Sequence, residues 1–389
     1  MIHSITDHTG GRLNAQDVQA HADRWLTTDA VIPLRPIPGS IGHDFIGRSG
    51  RVALAPGTIH YTTPQVVATE LAITEAYQAG LNRGTGVAAH RTVGDAIAGW
   101  EASTGHQLGA DQVAMVRSIT TSGHQFQAVV GPAGSGKTAA LEVAARAWEK
   151  DGFTVVGASV NGNAAEVLAR STGLQTRTVA SLLERLRYDE TLAPGPTRAQ
   201  PLLSPRAVVL VDEASTLSNR DHAELLRHVA NAGATLRTVG DPAQHSSVEA
   251  GGAWAAIVTQ HPATTPTLTE NRRMQGDEMA DVRLAADEYR NGQIAQALRR
   301  LENGDRIVTA ATSSELLDNL STDWYLDWRR HLAAPDEIAA SRMLAENHAV
   351  RRDLNERAQL LLREDGLIER DGVKIGEATF HVGDQVVAR

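Results

Sequence analysis

The sequence predicts an α/β fold, a parallel sheet with helices on both faces. Three observations carry that prediction. From Phe126 to about residue 265, short continuous apolar runs alternate with amphipathic helical segments, the pattern of strands buried on both faces. Between the first of these strands and its helix stands GPAGSGKT, residues 131–138. A later apolar strand, VVLVD, runs into the paired carboxylates Asp212 and Glu213, at the sheet edge where α/β folds place their ligands.

The chain has 389 residues, 42% hydrophobic and 21% charged, with a net charge of −9. That length suits two or three domains, and that composition excludes wholesale disorder. Cysteine is absent, which excludes disulfides, Cys-ligated zinc, iron–sulfur clusters and a thiol nucleophile. No apolar run reaches the ~20 residues of a bilayer span. The start, MIHSITDHTGGRLN, has neither a cationic nor an apolar leader segment, so a cytoplasmic location is expected. The acidic balance argues against general coating of DNA; a nucleic-acid contact must come from a local groove. Of the 37 basic residues only Lys137, Lys150 and Lys374 are lysines, so each lysine position is informative.

Taken in order, residues 1–60 read as a connector with a small β-hairpin, because DFIGR, RVALA and TIHYT alternate with the turns RSG and APG. Residues 61–125 read as a small helical module. TPQVVATELAITEAYQAG has a Thr start, Pro in the first turn and a terminal Gly, and a second helix is expected at about 107–121. Residues 126–265 read as the main α/β domain. Its expected strands are QAVV, FTVVGAS, AVVLVDE and TLRTVGD, and its expected helices TAALEVAARAWEK, AAEVLARSTG, TVASLLERLRY and DHAELLRHVANAG. The Pro-rich 193–205 is the expected surface loop. Residues 266–389 read as helices around 282–302, a strand at RIVTAA, a helix at HAVRRDLNERAQLLLRE and β-structure after 367.

GPAGSGKT fits the phosphate-loop pattern G-x-x-x-x-G-K-[ST]. In the loop Gly131, Pro132, Ala133, Gly134, Ser135, Gly136, Lys137 and Thr138, glycines let main-chain N–H groups curl around phosphates, and the following helix adds its dipole. Lys137 would neutralise the β/γ oxygens of ATP and Thr138 would ligate Mg²⁺. Asp212 would hold Mg²⁺, directly or through water, and Glu213 would orient and polarise the attacking water.

The order GPAGSGKT, VDEAS, GDPAQ, LTENRR resembles a superfamily 1 DNA helicase of the RecD-like branch, and within it the helicase half of conjugative relaxase–helicases of the actinobacterial TraA type. The resemblance covers roughly 60–389. It implies a P-loop NTPase with a first RecA-like domain over 126–265 and a partial second one over 266–389 that ends in the start of a β-rich insertion. It implies that Gln244 senses the γ-phosphate, that Arg273 is a γ-phosphate arginine from the second domain, and that Gln112 recognises adenine. It assigns Asn161, Gly162 and Thr178 to the single-strand backbone; by their local pattern, Asn161 and Thr178 are also ordinary helix caps. Arg272 reads as structural. His245 stands where the family usually has an apolar residue. Trp254 reads either as a base-stacking or as a core aromatic.

The resemblance further implies single-stranded DNA as partner, 5′→3′ movement and an association with conjugation or recombination machinery. Neither the later helicase motifs nor a three-His relaxase motif occurs in the sequence, so a motor cut short at both ends, with impaired turnover and no nicking activity, is the expectation. A RecD-like exonuclease-complex subunit and a non-catalytic ATP- and DNA-binding remnant stand as the alternatives.

Overall fold

The computed structural model describes residues 15–34, 60–191, 201–244, 247, 251–274, 276–330, 342–376 and 378–384. It divides into two compact units, one extending to Arg283 and the other starting at Leu284.

The first unit begins with α1 (Ala15–Leu26) and with β1 (Ile32–Leu34), which pairs antiparallel with β2 (His60–Thr62). DFIGR and RVALA, on which most of the expected hairpin rested, lie outside the described residues; α1 is a helix where a connector was expected. α2 (Pro64–Ala79) starts as its sequence predicts: Thr63 Oγ1 accepts the Val66 N–H at 3.3 Å and Pro64 fills the first turn. α3 (His90–Thr104) was not expected, and α4 (Ala110–Thr121) follows.

Alternation then sets in: β3 (Phe126–Val130), α5 (Lys137–Lys150), β4 (Thr154–Ser159), α6 (Gly162–Thr172), β5 (Thr176–Thr178), α7 (Val179–Thr191), β6 (Ala207–Asp212), α8 (Asn219–Asn231), β7 (Thr235–Gly240) and α9 (Ala253–Gln260). The five strands form one parallel sheet in the order β3-β7-β6-β4-β5. The P-loop NTPase fold, with helices on both faces of a parallel sheet, is thus present as expected.

Side chains alternate along each strand and build two cores. Ala128, Val130, Val209 and Val211 meet α2, α7, α8 and α9 on one face. Val129, Val208, Leu210 and Val239 meet α3, α4 and α5 on the other. The expected helical module at 61–125 is therefore divided between the two faces. α2 packs chiefly on α8, while α3 and α4 pack chiefly on α5, on the opposite face. Arg237 of β7 is fully buried. It donates from Nε to Ile119 O and from Nη1 to His124 O, both at 2.9 Å, tying the end of α4 to the sheet. Burial pushes its pKa down to about 9.

Beyond the boundary, which falls within α10 (Ala280–Arg290), come α11 (Ile294–Asn303), α12 (Ser313–Arg330), α13 (His348–Glu364) and the antiparallel pair β8 (Gly372–Ile375) and β9 (Ala378–His381). RIVTAA forms no strand: residues 306–310 have no regular structure, because no neighbouring strand pairs with them among the described residues. The described residues of this unit contain no parallel sheet, so the expected partial second RecA-like domain is not visible in them. Among the described residues no helix is long and apolar enough to cross a membrane.

Candidate active site

β3 stops at Val130 because Gly131 turns away, its N–H donating to Gly240 O of the neighbouring β7 at 2.9 Å. The chain re-enters regular structure at Lys137. Between them Gly134 and Gly136 both hold φ +78°, a left-handed conformation that glycine adopts without steric cost. The Lys137 stem crosses Gly131 so closely that a Cβ there would overlap Lys137 Cγ and Cδ. That path carries Lys137 Nζ to 3.3 Å from Glu213 Oε1 and 3.9 Å from Asp212 Oδ1.

The two carboxylates arrive at the end of β6. Asp212 is its last residue, and its Oδ1 accepts the Glu213 N–H at 2.9 Å. Glu213 stands at φ +57°, a conformation that costs a non-glycine residue about 1–2 kcal/mol. Burial pushes the Asp212 carboxyl up; the Lys137 ammonium counteracts this, while Glu213 adds to it. The third contribution comes from the end of β7. The buried Asp241 accepts the Ala243 N–H at 3.0 Å and Gln244 Nε2 at 3.2 Å, holding the exposed Gln244 at the same sheet edge. β3, β7 and β6 are adjacent, so their C-terminal ends form one continuous rim. Thr138 is half-buried in the first turn of α5.

The segment after Pro266 departs from the expected domain boundary. Leu268 N donates to Val130 O at 2.9 Å and Val130 N to Pro266 O at 3.0 Å, a parallel bridge on the free side of β3. The main-chain N–H groups of Arg272 and Arg273 then both donate to Gly134 O. Arg273 therefore lies over the loop as part of the first unit, and not on a second domain, because β3 is an edge strand that this segment covers. Its guanidinium is exposed and has no hydrogen-bond partner among the described residues. Arg272 is structural, as expected. It pairs with Asp111 through Nη2 and donates from Nη1 to Ser135 O at 2.8 Å.

Other expected residues sit differently. Gln112 is buried, with Nε2 donating to Gly136 O and Oε1 accepting the Gly109 N–H, both at 2.9 Å. Each end of its amide makes one hydrogen bond to protein and so supports the loop from behind, which leaves one N–H and one lone pair for the adenine contact that the resemblance implies. Asn161 caps α6, its Oδ1 accepting the Ala164 N–H at 2.8 Å, and Thr178 Oγ1 accepts the Ser181 N–H at 3.2 Å. A Cβ at Gly162 would meet open space. These three lie at the ends of β4 and β5, away from the loop in strand order. Trp254 is a core aromatic, its Nε1 donating to Thr238 Oγ1 at 3.0 Å. His245 lies outside the described residues. Sequence reasoning missed Asp111, which nothing but its place beside Gln112 marks.

The donor set suits Mg²⁺ and a polyphosphate. The hydroxyl of Thr138 and the carboxylate of Asp212 are hard oxygen ligands of the kind Mg²⁺ takes in small number beside phosphates and water. Among the described residues no group of three or more His, Asp or Glu could hold a metal by itself.

A family model described as "AAA domain" matches residues 107–312. The conjugal transfer protein TraA of Agrobacterium fabrum is 32% identical over 284 residues, 72% of this chain and 24% of that protein. A probable conjugal transfer protein TraA of Sinorhizobium fredii is 30% identical over 68% of this chain and 22% of its own length. The chain thus spans about a quarter of the length of the curated relatives it matches. Among solved structures, the Pif1 helicase of Candida albicans aligns with a TM-score of 0.37 at 17% identity, over 56% of this chain and 54% of that one.

Proposed function

The chain belongs to the AAA-domain family, and on that premise we propose that it is an ATP-hydrolysing motor module acting on single-stranded DNA in conjugative transfer. The observation that carries this reading is the meeting of Lys137, Asp212 and Glu213 at the rim of β3, β7 and β6, beside a loop with two left-handed glycines. The relatives named as conjugal transfer proteins support the conjugative setting.

In this mechanism the loop amides and Lys137 bind the phosphate chain, with Lys137 exchanging part of its contact with Glu213 for phosphate oxygens. Thr138 and Asp212 would hold Mg²⁺, which when bound neutralises phosphate charge. Glu213 orients a water and takes its proton as the water oxygen bonds to the γ-phosphorus and the bond to the ADP oxygen breaks. Arg273, exposed above Gly134, offers charge to the transferring group, and Gln244 reports its presence. Asn161, Gly162 and Thr178 would line the path of the DNA backbone, with local contacts working against the net charge of −9.

The test is steady-state ATP turnover with and without single-stranded DNA, paired with DNA binding across a salt series. Turnover that rises with DNA, and DNA affinity that falls steeply with salt, are expected. Turnover indifferent to DNA, together with no DNA binding at low salt, would contradict the motor reading.

A further inference from the structure

Three consecutive carbonyls of the phosphate loop are held from outside the loop. Gly134 O accepts the Arg272 and Arg273 main-chain N–H groups at 2.7 and 3.2 Å. Ser135 O accepts Arg272 Nη1 at 2.8 Å, and Gly136 O accepts Gln112 Nε2 at 2.9 Å. A trans peptide is planar, with its C=O and N–H pointing to opposite sides. Drawing these carbonyls outward therefore turns the N–H groups that follow them inward. Ser135 N–H is used within the loop, on Pro132 O. The N–H groups of Gly136 and Lys137 have no protein acceptor among the described residues, as the opening of a helix leaves them.

Arg272 is itself fixed. Asp111 takes its Nη2, Glu270 Oε2 accepts Nη2 at 2.8 Å, and Asp111 Oδ2 also accepts the Thr269 and Glu270 N–H groups at 2.9 and 3.2 Å. The two side chains are only 19% and 10% exposed, so solvent and salt screen the pair little. The fit is close: a Cβ on Gly109 would collide with the Arg272 guanidinium, and one on Gly134 would stand 2.8 Å from Arg273 Cβ. Burial raises the Asp111 pKa, but Arg272 and the two amides outweigh it and hold it at about 2. The pair is therefore charged on both sides at any working pH.

We propose that Arg272 and Asp111 are positioning residues for the nucleotide: their ion pair braces the outer side of the phosphate loop, aims its amides inward and seats the neighbouring Arg273 on its rim. The proposal rests on the loop being a phosphate site, as inferred above. Neither side chain touches the phosphates; both act through the loop backbone.

The test is calorimetric titration of the chain with Mg·ATPγS, beside thermal unfolding without nucleotide. Asp111→Asn and Arg272→Gln are each expected to weaken Mg·ATPγS by about tenfold or more at temperatures well below each variant's own unfolding midpoint, where the chain is fully folded. Arg272→Lys keeps a charge opposite Asp111 and is expected to recover part of the affinity, though not the forked contact. Affinities within about twofold of wild type in the first two variants overturn the brace. So does a loss that follows the unfolding midpoint and that Arg272→Lys does not reduce, since that is the behaviour of fold glue. Wild type that fails to bind Mg·ATPγS overturns the phosphate-site reading itself, and the brace with it.

Discussion

The two ends of the sheet's C-terminal rim differ in kind. At the β3–β7–β6 end, several features go beyond what folding requires. Glu213 holds a left-handed backbone, Lys137 is drawn across Gly131 toward two carboxylates, and Asp212 is buried enough for its pKa to rise. At the β4–β5 end, Asn161 and Thr178 make the hydrogen bonds that any helix start asks for. Strain and converging charge point to chemistry, whereas a satisfied cap is fully accounted for by the fold. The DNA assignments at the second end therefore rest on resemblance, and the nucleotide assignments at the first end rest on resemblance and geometry together.

The largest expected effect sharpens the first end. Glu213→Gln keeps the shape but removes the base, so ATP turnover should fall by ~10²–10⁴ while Mg·ATP binding persists. A large loss of binding would mean that Glu213 is a structural residue. Next, Lys137→Ala should cost ~1.5–3 kcal/mol of nucleotide affinity, since it removes a charge-assisted phosphate contact; equal affinity by titration would break the assignment.

A control away from both ends is His222. It is fully buried, with Nε2 3.2 Å from the Tyr77 hydroxyl, and burial lowers its pKa to about 4. The folded state resists protonation that the unfolded state, near 6.5, accepts. Its stability is therefore whole above about pH 6.5 and is lost as pH falls toward 4, by about 2 kcal/mol at pH 5. Urea unfolding at several pH values should show this slope, and His222→Gln should flatten it.

The smallest effect breaks or rescues the second end. Asn161→Ala should cost ~1 kcal/mol of stability as a lost cap and leave nucleotide affinity unchanged. Single-stranded DNA affinity that also falls in this variant, measured where it remains folded, would give the β4–β5 end a function of its own.

Much of the fold was legible. The runs at 126–130 and 207–211 are almost entirely apolar and become a covered and a central strand, buried on both faces, and 235–240 does so with Thr235, Arg237 and Thr238 buried among its apolar residues. Thr63–Pro64 announces α2 by chemistry that acts within four residues. What could not be read was set by distant partners. Which face of the sheet a helix covers is not written in the helix, so 61–125 looked like a module of its own. RIVTAA has a strand's composition but, among the described residues, no strand beside it. The loop was legible because its spacing alone marks it, and Asp212 and Glu213 because they end an apolar strand in a chain that carries such a loop. The brace was not: Asp111 and Arg272 lie 161 residues apart, and Gln112 looks the same in sequence whether its amide meets a base or Gly136 O.

The most direct test of where the nucleotide acts is residue-level amide hydrogen exchange with and without Mg·ATPγS. The account predicts new protection over 131–138, with Gly136 and Lys137 foremost, and at the ends of β6 and β7, and none at Asn161, Gly162 or Thr178. Protection centred on the ends of β4 and β5, or no change across 131–138 at saturating nucleotide, would contradict it.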